Sequence, residues 1–111
     1  MHPEYNFGVN GALKNALDFL WHEWNDKPVA LAGYGAAAGG SRAAQALRLV
    51  AAGLKMFDLR TELIIADYRQ YLDETGKFVP TDGQAKFASG MLGELVFWAE
   101  QMQRARKELA G

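Results

Sequence analysis

The sequence predicts an α/β fold in which parallel strands alternate with helical crossovers. Short apolar segments bounded by Pro or Gly alternate along the chain with amphipathic segments of helical period. The resulting order is loop, helix, strand, helix, strand, helix, which is the order of right-handed βαβ units. Two strands leave sheet edges bare, so we expect the chain to pair with another chain or to be part of a larger sheet.

Composition narrows the function classes. A length of 111 residues fits one domain, and the formal charge of -1, with both signs interspersed, gives neither a nucleic-acid surface nor a polybasic membrane patch. The absence of Cys excludes disulfides and Cys nucleophiles and leaves the redox compartment open. No signal-peptide pattern and no apolar run near ~20 residues is found. We therefore expect a cytoplasmic protein that binds small molecules or protein chains, not nucleic acid or membrane.

The first helix and the strand after it are predicted within residues 10–35. Apolar residues recur at helical spacing between Asn10 and Trp24, namely Leu13, Ala16, Leu17, Leu20, Trp21 and Trp24. Asn10 is the predicted N-cap, and Pro28 marks the end of the segment. The apolar "VALAGYG" at residues 29–35 predicts a strand buried on both faces.

The second half of the chain predicts a further helix, a strand and a last helix. Ser41 is the expected cap of the second helix, and Gly53 its left-handed stop. Residues 56–65 predict a strand, followed by a polar loop with a turn at "ETGK". Thr81 and Gln84 predict a capping box for the last helix. Its apolar stripe predicts core or interface packing, not a cofactor site, and consists of Phe87, Met91, Leu95, Trp98 and Met102.

Two stretches have the composition of ligand-binding loops. "PEYN", Pro3 to Asn6, precedes Phe7 and Gly8, and its exposed aromatic and amide groups suit a flat, hydrogen-bonding ligand; the alternative is a plain polar turn. "GYGAAAGGSR", residues 33–42, follows a predicted strand, and its small residues let a carbonyl or phosphate approach the backbone. Both would lie at the carboxyl ends of parallel strands, so we expect them to converge on one crevice.

Other chemistry has little support in the sequence. The glycine-rich stretch is not G-x-G-x-x-G, because Ala38 occupies the third position, and it is not a P-loop. His2 and His22 are the only histidines and are interpreted as a surface and a helix-end His, so no metal site is predicted. No Ser lies in a nucleophile elbow, and no carboxylate pair is spaced for acid/base work. Any enzyme chemistry would depend on a cofactor.

The motifs together resemble one family. The stretch "HPEYNFGVNGALKNALDFLWHEWNDKPVALAGYGAAAGGSRAAQALRLV" resembles the NADPH-dependent FMN reductase family of flavodoxin-like proteins. That family combines a T-P-E-Y-N-like loop, a L-K-N-A-hydrophobic-D helix, a K-P-hydrophobic strand, an S/G-Y-G loop, and G-G before an R-A helix. The resemblance continues loosely into "LGELVFWAEQM".

The resemblance implies a three-layer flavodoxin-like fold that holds FMN at the carboxyl edge of its sheet. NAD(P)H would reduce the FMN, which would pass electrons to a quinone, an azo compound, a metal ion or free flavin. The implied cofactor-binding residues are Pro3, Glu4, Tyr5, Asn6 and Phe7 along the isoalloxazine, with Gly33, Tyr34 and Gly35 at its pyrimidine side. No catalytic residue is assigned. Gly33 stands where many family members have Ser.

The resemblance also implies which part of the family's domain this sequence matches. In the family, "PEYN" follows the third strand, and an earlier loop binds the flavin phosphate. Residues 1–111 are therefore expected to be the carboxyl-terminal portion of a flavodoxin-like domain, without about 70 residues that hold the amino-terminal strands. Three functions stay open: a homo-oligomeric or longer FMN enzyme, a truncated non-catalytic module for oligomerisation or interaction, and a binder of another planar ligand.

Overall fold

The computed structural model describes all 111 residues, and they form a four-stranded sheet covered by helices on both faces. The strand order is β2-β1-β3-β4. The strands are β1 (His2–Tyr5), β2 (Gly8–Val9), β3 (Pro28–Tyr34) and β4 (Phe57–Ile65). The helices are α1 (Gly11–Asp18), α2 (Ser41–Gly53) and α3 (Asp82–Ala110). This architecture confirms the predicted partial flavodoxin-like α/β fold.

Alternation along the strands assigns the helices to the two faces. Leu31 packs with Ala44 and Leu47 of α2 and with Leu13 and Leu17 of α1. Phe57 pairs in register with Pro28 and stacks on Trp98 of α3, with ring centroids 4.9 Å apart. Because residues of opposite parity point to opposite faces, α1 and α2 cover one face and α3 the other.

The strand β1 corrects the prediction that this part of the chain is only a loop. His2–Tyr5 pairs in parallel with β3, through His2↔Gly33 and Pro3↔Tyr34. This strand has only four residues and most of them are polar, so it shows no periodic pattern of apolar residues from which a strand could be predicted. Because β1 reaches only the last residues of β3, residues 28–32 have no strand neighbour on that side.

The first helix is shorter than predicted. It ends at Asp18, and a separate 3-10 turn follows at His22–Trp24. The indole Nε1 of Trp24 donates to the carbonyl oxygen of Leu17 at 3.0 Å, which satisfies a carbonyl at the helix end. Trp24 has helical spacing in the sequence but lies outside the helix. The predicted N-cap is confirmed, because Asn10 Oδ1 accepts a hydrogen bond from the Leu13 N–H at 3.0 Å.

Both predicted ends of α2 are wrong by one or two residues. The N-cap is Gly40, at φ 84°, and Ser41 is the first helical residue. The left-handed residue at the other end is Lys55, at φ 56°, not Gly53. Lys55 N–H donates to Ala52 O and Met56 N–H to Ala51 O, which is the Schellman pattern with Lys55 at C′.

The strand β4 and the helix α3 agree with the sequence, whereas the short strand β2 was not predicted. The strand β4 and the turn at "ETGK" are present, with Gly76 at φ 82°. The predicted capping box of α3 is confirmed by the reciprocal bonds between Thr81 and Gln84. Within the predicted stripe Met91 is buried, Leu95, Trp98 and Met102 are half-buried, and Phe87 is exposed. No helix is both long and apolar enough to cross a bilayer.

Candidate functional site

Three loops converge at the carboxyl edge of the sheet. They follow β1, β3 and β4, whose parallel course brings all three carboxyl ends to one side. A cleft of about 390 Å³ lies between them. It is lined by Pro3, Glu4, Tyr5, Tyr34, Gly35, Ala36, Asp67, Tyr68, Arg69 and Gln70. The two loops proposed from sequence therefore meet at one cleft, together with a third.

The third loop was missed by sequence reasoning. Its backbone is tied to the glycine-rich loop, because the Asp67 N–H donates to Ala36 O at 2.9 Å and the Tyr68 N–H to Gly35 O at 3.2 Å. The Tyr68 ring meets the Tyr34 ring edge-on, with centroids 5.6 Å apart. The sequence signal that could have identified this loop was its position directly after a buried parallel strand.

A smaller recess of about 180 Å³ adjoins the cleft between the turn after β1 and the start of α2. Asn6 and Phe7 form that turn with φ of 49° and 66°, and the Phe7 side chain is 69 % exposed. The guanidinium carbon of Arg42 lies 3.8 Å from the centroid of the Phe7 ring. Asn6 and Phe7 thus line this recess and not the main cleft, and Arg42, the last residue of the glycine-rich stretch identified in the sequence, lines it with them.

Glu4 touches both cavities, but its carboxylate is already bound within the protein. The side chain is only 8 % exposed. Its Oε2 accepts from Arg42 Nε at 2.8 Å and its Oε1 accepts from the Ala43 N–H at 2.9 Å. The Arg42 hydrogen bond, supported by the Ala43 amide, lowers the pKa of the Glu4 carboxyl. Glu4 therefore stays ionised and holds the start of α2.

Gly33 does not line the cleft but packs against the glycine-rich loop after β3. A Cβ at this position would lie 2.7 Å from Gly39 O and 3.1 Å from His2 Cε1. The serine that many relatives are expected to carry at this position would not fit this backbone without a shift. Tyr34 and Gly35, by contrast, line the cleft directly.

His2 corrects the expectation of a surface histidine. It is 2 % exposed, on β1, and its Nε2 has no hydrogen-bond partner. Burial lowers the pKa of its imidazole, so the neutral form is favoured. No group of three or more His, Asp or Glu side chains comes together in a metal-binding arrangement.

Comparison with known proteins assigns the family. The sequence model of the NADPH-dependent FMN reductases matches residues 1–70, which is more than half of the chain. The chain belongs to the NADPH-dependent FMN reductase family. The matched segment contains the three loops of the cleft, so the family resemblance and the geometry concern the same residues.

Several relatives carry corresponding names. The chain is 54 % identical over 54 residues to an NAD(P)H-dependent FMN reductase of Schizosaccharomyces pombe, a match covering 49 % of this chain and 26 % of the relative. It is 50 % identical over 54 residues to an NAD(P)H-dependent FMN reductase of Saccharomyces cerevisiae, a match covering 49 % of this chain and 28 % of that relative. An NAD(P)H:quinone oxidoreductase of Solanum tuberosum is 32 % identical over 88 residues, a match covering 76 % of this chain and 45 % of that relative. The matched segment thus spans less than half the length of each of these relatives.

The cleft residues fit the ring of the family's flavin. The backbone N–H groups of Ala36 in the cleft, and of Ala38 and Gly40 in the adjoining recess, donate no hydrogen bond to another protein group. An isoalloxazine ring is flat and carries carbonyl and imine acceptors along one edge, so unpaired amides and the flanking rings of Tyr34 and Tyr68 provide donors and stacking surfaces of the right kind. The fit concerns the ring side of FMN.

Proposed function

We propose that this chain provides the ring side of an FMN site in an NAD(P)H-dependent oxidoreductase that passes electrons to a small acceptor such as a quinone, an azo compound or a flavin. The observation that carries the proposal is the convergence of three loops from three parallel strands on one cleft, within the segment that matches the family. The names of the relatives support FMN and NAD(P)H and include quinone oxidoreductases.

The residues of the cleft and of the adjoining recess have separate tasks under this proposal. Bound FMN would supply the redox chemistry by accepting a hydride from NAD(P)H and passing electrons to the acceptor. The amides of Ala36, Ala38 and Gly40 would hold the acceptor edge of the ring, while Tyr34 and Tyr68 would exclude water from one side. Glu4 would not transfer protons, because its carboxylate is held by Arg42 and the Ala43 amide. This chain therefore supplies binding and orientation, and we assign it no catalytic residue.

The activity test uses two neighbouring alanines as a matched pair. Ala36 lines the cleft and Ala37 does not, although both are exposed. In an assay of NAD(P)H oxidation with added FMN and a quinone, we expect Ala36→Leu to lower kcat/KM at least tenfold because the side chain fills the cleft. Ala37→Leu should behave as wild type. Absence of FMN-dependent turnover, or equal loss in both variants, would count against the proposal.

Homo-oligomerisation and a cytoplasmic location are the other parts of the proposal. Large apolar side chains on α3, Leu92, Val96 and Phe97, are each more than half exposed. The same surface, with the unpaired edge of β3 at residues 28–32, also favours the second candidate function, a non-catalytic module for interaction or oligomerisation. FMN binding discriminates between the two functions, because only the oxidoreductase requires it.

A further inference from the structure

We propose that Arg42 is a positioning residue of the flavin site, which it serves by holding the turn after β1 against the first turn of α2. The role in flavin binding rests on the function proposed above, whereas the mechanical role depends only on the contacts of this chain. By fixing the distance between these two segments, the guanidinium would fix the shape of the recess in which the unpaired amides of Ala38 and Gly40 lie.

On the side of the turn, Arg42 stabilises an unfavourable backbone. Asn6 and Phe7 are both left-handed, and for a bulky aromatic residue this conformation is a strained one that requires support from its surroundings. The antiparallel pairing of β1 with β2 holds both ends of this hairpin turn, but Phe7 is largely exposed, so burial adds no support at its ring. The guanidinium over its ring, 3.8 Å from the centroid, is a cation–π contact that favours the observed turn.

On the side of the helix, Arg42 is anchored through Glu4. Its Nε and Nη2 both approach Glu4 Oε2, while Glu4 Oε1 accepts the Ala43 N–H of the first helical turn. The carboxylate comes from β1 and is nearly buried, so it joins the strand, the helix start and the guanidinium in one network. Arg42 thus belongs to the first turn of α2 and contacts both β1, through Glu4, and the turn after β1, through Phe7.

The type of side chain is informative at this position. A cation in the first turn of a helix is disfavoured by the helix dipole, so Arg42 needs a compensating interaction there. Glu4 provides it. A planar guanidinium can stack on a ring and bind a carboxylate along its edge at the same time, which a lysine ammonium cannot do. We therefore expect Arg42→Lys to keep the charge but lose the coupling between turn and helix.

The first test measures the coupling without flavin. Backbone order parameters would be measured by 15N NMR for Asn6 and Phe7 in the wild type, Arg42→Gln, Arg42→Lys and the control Arg104→Gln, which changes an exposed arginine on α3. We expect the turn to become mobile on the nanosecond timescale in both Arg42 variants and to stay ordered in the control. An ordered turn in Arg42→Gln, or full restoration by lysine, would overturn the proposal.

The second test measures FMN affinity by quenching of flavin fluorescence in the same variants. We expect the Kd to rise at least tenfold in both Arg42 variants and to stay unchanged in Arg104→Gln. A mobile turn with unchanged Kd would overturn the role in flavin binding. If the wild type itself leaves FMN free, the proposed function fails, and the NMR result still decides the mechanical role.

If Arg42→Gln does not fold, Phe7→Leu takes its place. This variant removes the ring under the guanidinium and leaves the ion pair with Glu4 intact. It should mobilise the turn and weaken FMN binding in the same direction. An ordered turn in Phe7→Leu would contradict the proposed stacking role.

Discussion

Gly33, Gly39 and Gly40 determine how closely the loop after β3 approaches the sheet. A Cβ on Gly33 would lie 2.7 Å from Gly39 O, and one on Gly40 would lie 3.0 Å from Gly33 Cα. Gly39 and Gly40 also have φ of 57° and 84°. The cleft therefore depends on backbone contacts that no side chain could replace.

Gly33→Ala should destabilise the protein. The methyl group would meet backbone atoms that can move only with the whole loop, so we expect the free energy of unfolding to fall by about 1–3 kcal/mol. The measurement is urea unfolding. Gly90→Ala is the control, since its Cβ would point into open space on α3 and a helical alanine is favoured over glycine by about 1 kcal/mol. Equal stability of Gly33→Ala and wild type would contradict this account of the loop.

His2 should make stability depend on pH. Burial lowers the pKa of His2 in the folded state and the N-terminal ammonium adds to this shift, while the hydrogen bond to the Pro3 carbonyl and the charges of Glu62 and Glu4 partly oppose it. The unfolded chain then binds the proton first, so the contribution is fully present above pH ~6.5 and is lost as pH falls through the folded pKa. We expect Tm to fall more between pH 7 and 5 in the wild type than in His2→Leu. His22→Gln, the control, should retain the wild-type slope.

At the residue level, sequence reasoning found the loop residues and missed their partners. The small and aromatic residues of "PEYN" and "GYG" indicated a ligand site, and the structure brings them to one edge. The contact between Glu4 and Arg42 spans 38 positions in the chain, and no local pattern encodes such a pair. The burial of His2 was not predicted either, because it depends on the strand β1, which was predicted as a loop.

Among the elements, β4 depends on Arg48. The register between β3 and β4 shifts next to Val29 and Leu31, and Arg48 lies over that irregularity. Its guanidinium donates to Leu59 O at 2.8 Å and Arg60 O at 3.2 Å. It also pairs with the carboxylates of Asp58 and Glu62. Although burial disfavours its charge, these two carboxylates raise the pKa of Arg48 overall.

Arg48→Met should destabilise β4 strongly. The substitution leaves two bulge carbonyls and two largely buried carboxylates without their donor, and breaking such a network costs about 3–5 kcal/mol. Urea unfolding of Arg48→Met should show this loss, whereas Arg104→Met on the exposed side of α3 should stay within about 0.5 kcal/mol of wild type. A loss below about 1 kcal/mol in Arg48→Met would mean that the bulge does not need the guanidinium.

Element prediction succeeded where the signals were local. The capping box of α3 lies within four residues, and it is present as predicted. The end of α1 was predicted wrongly because the Trp24 indole donates a hydrogen bond to Leu17 O. This side-chain bond satisfies a carbonyl that a continuing helix would have bonded through its backbone. The cap of α2 was misassigned because Gly40 must approach Gly33 closely, a requirement that sequence alone does not reveal.

For the whole molecule, the accessible surface is the informative quantity. It measures 7380 Å², whereas a compact monomer of 12.2 kDa is expected to expose about 6,100 Å². The difference exceeds the roughly 800 Å² that each partner contributes to a standard interface. The exposed apolar residues of α3 belong to this surface, and we propose that self-association covers them.

Sedimentation equilibrium tests the proposed self-association. At micromolar concentration we expect a mass of at least twice 12.2 kDa for the wild type. Val96→Glu places a charge between the exposed apolar side chains of Leu92 and Phe97 and should shift the mass toward the monomer. Gln103→Glu, which adds the same charge at an exposed polar position, should not. A monodisperse wild-type monomer would contradict the proposal.

The most direct test of the central claim is an FMN titration of the purified chain, followed by visible absorption and flavin fluorescence. The account predicts a saturable bound-flavin spectrum with quenched fluorescence, weakened at least tenfold in Ala36→Leu and unchanged in Ala37→Leu. A chain that leaves FMN free at high micromolar concentration would contradict the claim that these three loops form a flavin site by themselves.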